Sequence, residues 1–133
     1  MSDDRQDLTG VWYGRDDASG YDETNGFIAQ IEEHAGALSG IITEPDTTGQ
    51  TGVRRAFVSG MRTCGVMEFV KQYDGGAMAH AVRYFGEINR DATEITGGWV
   101  IVQHGGTFVM EREKFSVEEL EEEEIDVIDR SIR

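Results

Sequence analysis

A chain of 133 residues, 38% hydrophobic and 29% charged, is long enough for one domain around one core and is compositionally an ordinary soluble chain. Its net charge of −14 argues against nucleic acid, whose phosphates need a basic footprint, and against anionic membrane surfaces. One cysteine, Cys64, excludes an internal disulfide, no apolar run is long enough to span a bilayer, and residues 1–7 lack the apolar stretch of a signal peptide, so a cytoplasmic setting is expected.

In chain order, residues 1–7 are polar and read as a disordered N-terminus. The first predicted strand covers residues 8–15, with Leu8, Gly10, Trp12 and Gly14 on one face and Thr9, Val11, Tyr13 and Arg15 on the other. Residues 16–26 are polar and read as a solvated loop over one mouth of a barrel. Its acids, Asp16, Asp17, Asp22 and Glu23, lack the spacing of an EF-hand calcium loop. Strand two is predicted over residues 27–33. Strand three, residues 38–43, runs into an exposed loop over residues 44–52.

Strand four is predicted over 53–59, with a turn at Gly60-Met61-Arg62-Thr63, and strand five over 64–73. Cys64 reads as a small core or turn residue, since no base or second cysteine stands near it. Asp74-Gly75-Gly76 is a strong hairpin signal before strand six, residues 78–88. Strand seven covers 93–102. His104-Gly105-Gly106 reads as a turn before strand eight, residues 107–113. Eight strands with short, regular connections predict an all-β chain folded as an eight-stranded antiparallel up-and-down β-barrel over residues 8–113. Closure would remove the exposed edges.

Beyond the strands the period changes. Ser116-Val117-Glu118-Glu119 is a capping box, and Leu120, Ile125, Ile128 and Ile132 fall on one helical stripe, so residues 114–133 read as an acidic amphipathic C-terminal helix or tail. It could pack on its own barrel, bind a partner or a second copy as a homodimer, or stay disordered.

Gly10-Val11-Trp12 resembles the opening of the calycin barrels, the superfamily of lipocalins, fatty-acid-binding proteins and avidins. The resemblance covers residues 8–113. It implies that an arginine near the end of the last strand, here Arg112, packs across Trp12 and plugs one end of the barrel beside Gly10. The nearest local likeness is to the avidins, through Thr9-Gly10-Val11-Trp12-Tyr13 and Leu38-Ser39-Gly40. Avidins follow Trp-Tyr with an asparagine that contacts biotin; this chain has Gly14, and it lacks most of the family's site tryptophans. Gly10, Trp12 and Gly14 also match the start of nitrobindin, a haem barrel whose third glycine is Asp16 here.

With Trp12 inward, alternation makes Phe27, Phe69, Tyr84, Trp99 and Phe108 interior, joined by the polar Lys71, Tyr73 and His80. An apolar cavity with a few convergent polar groups is the pattern of a small-ligand site. The expected function is therefore a barrel holding one small, mostly apolar molecule, whose carboxylate or carbonyl would face Lys71 and His80. The alternatives are an interaction or dimerisation module working through the acidic helix, and a barrel enzyme using a Tyr-His-Lys set. No metal-ligand spacing, phosphate loop or Ser-His-Asp arrangement is present in the sequence, so no cofactor, metal or catalytic residue is assigned. Truncation after Ser116 separates the readings of the C-terminal segment. A dimerising helix requires the folded, truncated chain to drop to monomer size in light scattering, and an unchanged oligomeric state refutes it.

Overall fold

A computed structural model describes residues 7–18, 24–45, 52–74 and 81–113. The described chain forms eight strands: β1 (Gly10–Ala18), β2 (Thr24–His34), β3 (Ala37–Pro45), β4 (Val53–Thr63), β5 (Val66–Tyr73), β6 (Val82–Ile88), β7 (Glu94–Ile101) and β8 (His104–Glu111). Each pairs antiparallel with the next, and β1 pairs with β8, so the sheet closes into an up-and-down barrel. The expected N-terminal tail, the Gly75-Gly76 turn, His80 and the C-terminal helix lie outside the described residues, apart from Asp7.

Several strands run further than composition implied. β1 continues past Arg15, with Asp16 opposite both Asn25 and Phe108. A strand with a neighbour on each side keeps its extended backbone paired whatever its side chains prefer. For the same reason β3 reaches Pro45, opposite Val53. The turn expected at Gly60-Met61-Arg62-Thr63 is strand: β4 runs to Thr63, and the chain reverses at Cys64-Gly65, where exposed Cys64 has φ 54°. The turn expected at His104-Gly105-Gly106 is also strand. The reversal is at Val102-Gln103, Val102 has φ 50°, and His104 pairs with Ile101 as the exposed first residue of β8.

Interior and exterior alternate along the strands as the pleat requires. Trp12, Phe27, Ala29, Ile31, Leu38, Ile42, Ala56, Val58, Met67, Phe69, Val82, Tyr84, Ile95, Phe108 and Met110 are buried inside. At one end this core is sealed. The Arg112 guanidinium carbon lies 4.3 Å from the centre of the Trp12 ring. From there Arg112 donates to the carbonyls of Ala92 at 2.8 Å, Thr9 at 2.7 Å and Asp7 at 2.6 Å. Trp12 Nε1 donates to the Leu8 carbonyl at 2.9 Å. Gly10 makes room for this stack: its φ is +147°, and a Cβ there would lie 3.0 Å from Arg112 Nη1.

A second arginine braces the same end. Arg62 Nε and Nη2 each reach a Glu33 carboxylate oxygen at 2.7 Å, and the Leu8 amide donates to Glu33 Oε1 at 3.1 Å. The space left between Leu8, Trp12, Ile31, Leu38, Met67, Phe69, Ile95 and Met110 does not admit a water molecule. Trp12→Ala should cost roughly 3–5 kcal/mol in denaturant unfolding, as a large-to-small change in a filled core. A loss below about 1 kcal/mol would show that this end is not packed as described.

Candidate functional site

The other end of the barrel gathers a second set of polar interior side chains. It is reached by continuing the inward face of each strand. On β1 that face passes Trp12 and Gly14 to Asp16; on β3 it passes Ile42 to Glu44; on β5 it passes Phe69 to Lys71 and Tyr73. Lys71 is 2% exposed and Glu44 3%, so both charges are inside.

Lys71 Nζ lies 3.3 Å from Glu44 Oε2. The ammonium also stands 4.7 Å from the centre of the Tyr73 ring and 5.3 Å from that of Tyr84. Tyr73 donates its hydroxyl to Glu44 Oε1, and Tyr84 donates to Asp16 Oδ2 at 2.9 Å. Among the described residues no buried side-chain polar atom is left without a hydrogen-bond partner.

Aromatic rings surround this network. Tyr84 stacks on Phe69 with centroids 5.0 Å apart, and meets Phe108 edge-on at 5.1 Å and Phe27 at 6.3 Å. Half-buried Trp99 pairs across β6–β7 with Tyr84 and donates Nε1 to the Asp17 carbonyl at 3.2 Å. On the opposite side half-buried Arg54 covers the outer face of the site, 5.1 Å from the centre of the Tyr73 ring.

Burial shifts the titration of Asp16 and of the two tyrosines. Desolvation raises the Asp16 carboxyl above its ordinary 3.8, more than the Tyr84 hydrogen bond and the Lys71 charge lower it. The folded chain thus holds this proton more tightly than the unfolded chain. Stability from Asp16 is full below its unfolded pKa and is lost as the pH rises through the folded one. Desolvation, followed by the neighbouring carboxylates, also pushes the Tyr73 and Tyr84 phenols up, so both remain hydroxyl donors at neutral pH.

Of the residues singled out in the sequence, Phe27, Phe69, Lys71, Tyr73, Tyr84, Trp99 and Phe108 converge here; His80 lies outside the described residues. The expectation that Lys71 would face a ligand anion loses its basis, because Glu44 already neutralises it. Composition places both Glu44 and Asp16 in loops. Their signal was parity: each lies an even number of residues beyond an inward residue of its strand, Ile42 and Trp12.

Phe27 also separates this interior from an avidin-like one. A Cβ at Gly14 would lie 2.2 Å from the Phe27 ring, so an asparagine after Trp12-Tyr13 would have to displace that ring. Outside the barrel, exposed Met61, Val66 and Phe85 border a groove of about 680 Å³ over β4 to β7. Among the described residues no group of three or more His, Cys, Asp or Glu is placed to hold a metal ion, and no helix is long and apolar enough to cross a membrane. Neither a protein-family model nor a curated protein sequence matches the chain.

The Lys71–Glu44 pair should be costly to break from either side. Lys71→Met or Glu44→Gln alone should each lose roughly 3–5 kcal/mol, by leaving a buried charge without its counterion or a buried network half-satisfied. Joint replacement, Lys71→Met with Glu44→Met, should recover most of that loss in chemical denaturation. Equal, additive losses would mean that the two groups do not act as a pair.

Proposed function

We propose that the barrel is a small-ligand-binding protein of calycin-like type, holding one small and mostly apolar molecule at the Asp16–Glu44–Lys71 end. The observation that carries this reading is a difference between the two ends: one is filled and braced by arginines, the other sets a Lys–Glu pair, an aspartate and two phenols among aromatic rings. At the Trp12 end the charged groups, Arg112 and the Arg62–Glu33 pair, clamp strands together over a filled core, while Lys71, Glu44, Asp16 and the two phenols converge among aromatic rings at the other end. A pure structural core gains little from buried ion pairs, which an apolar replacement of equal volume can match or exceed in stability. A ligand site has a use for them, as fixed and fully satisfied groups that orient a bound molecule. Eight strands enclose room for packed side chains or one small ligand, so the molecule is limited in size.

A second reading, an interaction module, has one observation in its favour: the exposed apolar side chains Met61, Val66 and Phe85 beside the outer groove. The two readings make different demands on purified protein. Ligand binding expects native mass spectrometry to show a bound small molecule, or a thermal-shift screen of carboxylates, amines and fatty acids, with biotin and haem as controls, to find a stabiliser. A binder at about a hundred times its Kd should add roughly 2.7 kcal/mol of stability. No adduct and no stabiliser in the whole screen would sink the ligand reading and leave the interaction module.

A further inference from the structure

Apolar surface is not confined to the interior of the barrel. Outside, the groove of about 680 Å³ lies across β4 to β7, near the β4–β5 turn. Met61 is 57% exposed, Val66 51% and Phe85 49%, and all three line it. Pairing sets them in a pattern with two acids. Glu68 stands opposite Met61 across β4–β5 and opposite Phe85 across β5–β6. Glu87 stands opposite Val66 across β5–β6 and opposite Thr96 across β6–β7. Val66 and Phe85 thus form one diagonal of a four-residue block on β5 and β6, and Glu68 and Glu87 the other. Both charged residues that line the groove are acids. Glu68 has Arg83 at 3.9 Å, in a pair with both side chains well exposed, which water screens and another cation can replace. Glu87 makes no ion pair among the described residues.

From this face we infer that the barrel docks an amphipathic helix of a partner protein, whose apolar side chains enter between Met61, Val66 and Phe85 and whose flanking lysines or arginines meet Glu68 and Glu87. The inference goes beyond the interior-ligand reading and stands without it. It gives the interaction-module reading a surface and a partner chemistry. Apolar side chains gathered in a groove and rimmed by polar ones are the pattern of a protein-binding surface. The closed sheet then selects the form of the partner. Every strand is paired on both sides, so no edge is left for a partner strand to extend. A strand laid on this face would set its own unpaired N–H and C=O groups against apolar side chains, whereas a helix bonds its backbone internally. Four strands about 4.8 Å apart make a face about 14 Å wide, which accommodates a helix about 10–12 Å across. Charge selects the flanks. A second copy of the chain would bring a further −14, and the chain's own run of glutamates between Glu118 and Glu124 would meet like charge at Glu68 and Glu87. A basic partner is attracted both by these two acids and by the field of the whole chain.

A peptide series tests this on the full chain by fluorescence anisotropy, at pH 7 and about 0.15 M salt, where exposed charges are screened beyond about 8 Å. The first probe is a synthetic helical peptide with leucines on one face and lysines flanking them. The second has glutamates in place of the lysines, and the third is the lysine peptide scrambled so that no apolar face forms. The leucine-lysine helix should bind at least about tenfold more tightly than either of the others. Phe85→Ala should weaken it at least about tenfold, as the loss of an aromatic anchor. Glu87→Gln should weaken it about threefold, the size of an exposed ion pair. Glu32→Gln removes the same charge from β2, outside the groove, and should change nothing. If the leucine-lysine helix does not bind, if either control peptide binds as tightly, or if Phe85→Ala and Glu87→Gln bind it like the unaltered protein, the proposal is overturned. Light scattering adds one more outcome: a dimer that Phe85→Ala dissociates would mean that a second copy covers this face, and would overturn it too. Should Phe85→Ala fail to fold, Met61→Ala takes its place. The interior is decided separately, by the ligand screen above.

Discussion

The stack of Arg112 on Trp12 is the contact from which the rest of the architecture follows. A barrel closes only when its first and last strands meet, and here β1 and β8 are joined twice, by their ladder and by this side-chain clamp. A guanidinium over an indole contributes on the order of 0.5–2 kcal/mol as a cation–π contact. The larger effect is geometric. Arg112 spans the carbonyls of Asp7, Thr9 and Ala92, so one side chain ties the lead-in to β1, the end of β8 and the turn between β6 and β7. With that end shut and its core filled, any interior chemistry has to sit at the opposite end.

The two ends handle buried charge with different residues. At the clamped end Glu33 is met by Arg62 through two parallel hydrogen bonds, the planar fork that fixes both partners in one geometry. At the opposite end Glu44 is met by Lys71, a point charge on a flexible stem, with tyrosine rings completing its surroundings. The first arrangement suits a brace. The second leaves its partners freer to adjust, and its hydrogen bonds run through hydroxyls that can rotate.

Alternation made most of the interior legible. Once Trp12 is placed inside, the inward face of β2, β3, β5, β6, β7 and β8 follows from parity, and the buried residues fall on it. What composition obscured were the strand ends. Asp16-Asp17, Glu44-Pro45, Gly60 to Thr63 and His104 to Gly106 all carry turn-favouring or charged residues, and all are strand in the barrel. Their conformation is set by neighbours across the sheet, which a linear reading does not contain, and tertiary pairing overrides local preference. The turns went instead to Cys64 and Val102, residues of weak turn propensity that the flanking ladders leave over and force to positive φ.

Those strand ends are also where the candidate site lies, for a connected reason. A polar residue near a strand terminus looks like the start of a loop, and in most strands it is one. In a closed barrel each strand end is also a place on the rim, and an inward side chain there points into the mouth. Glu44 and Asp16 are such residues: one neutralises the lysine the sequence leaves apparently unmatched, and the other places a carboxylate where the interior meets solvent. β1 has to run past Arg15 to pair with β8 and complete the barrel. The same extension carries Asp16 inward beside Tyr84 and Phe108, so closure of the fold and the placing of this carboxyl have a common origin.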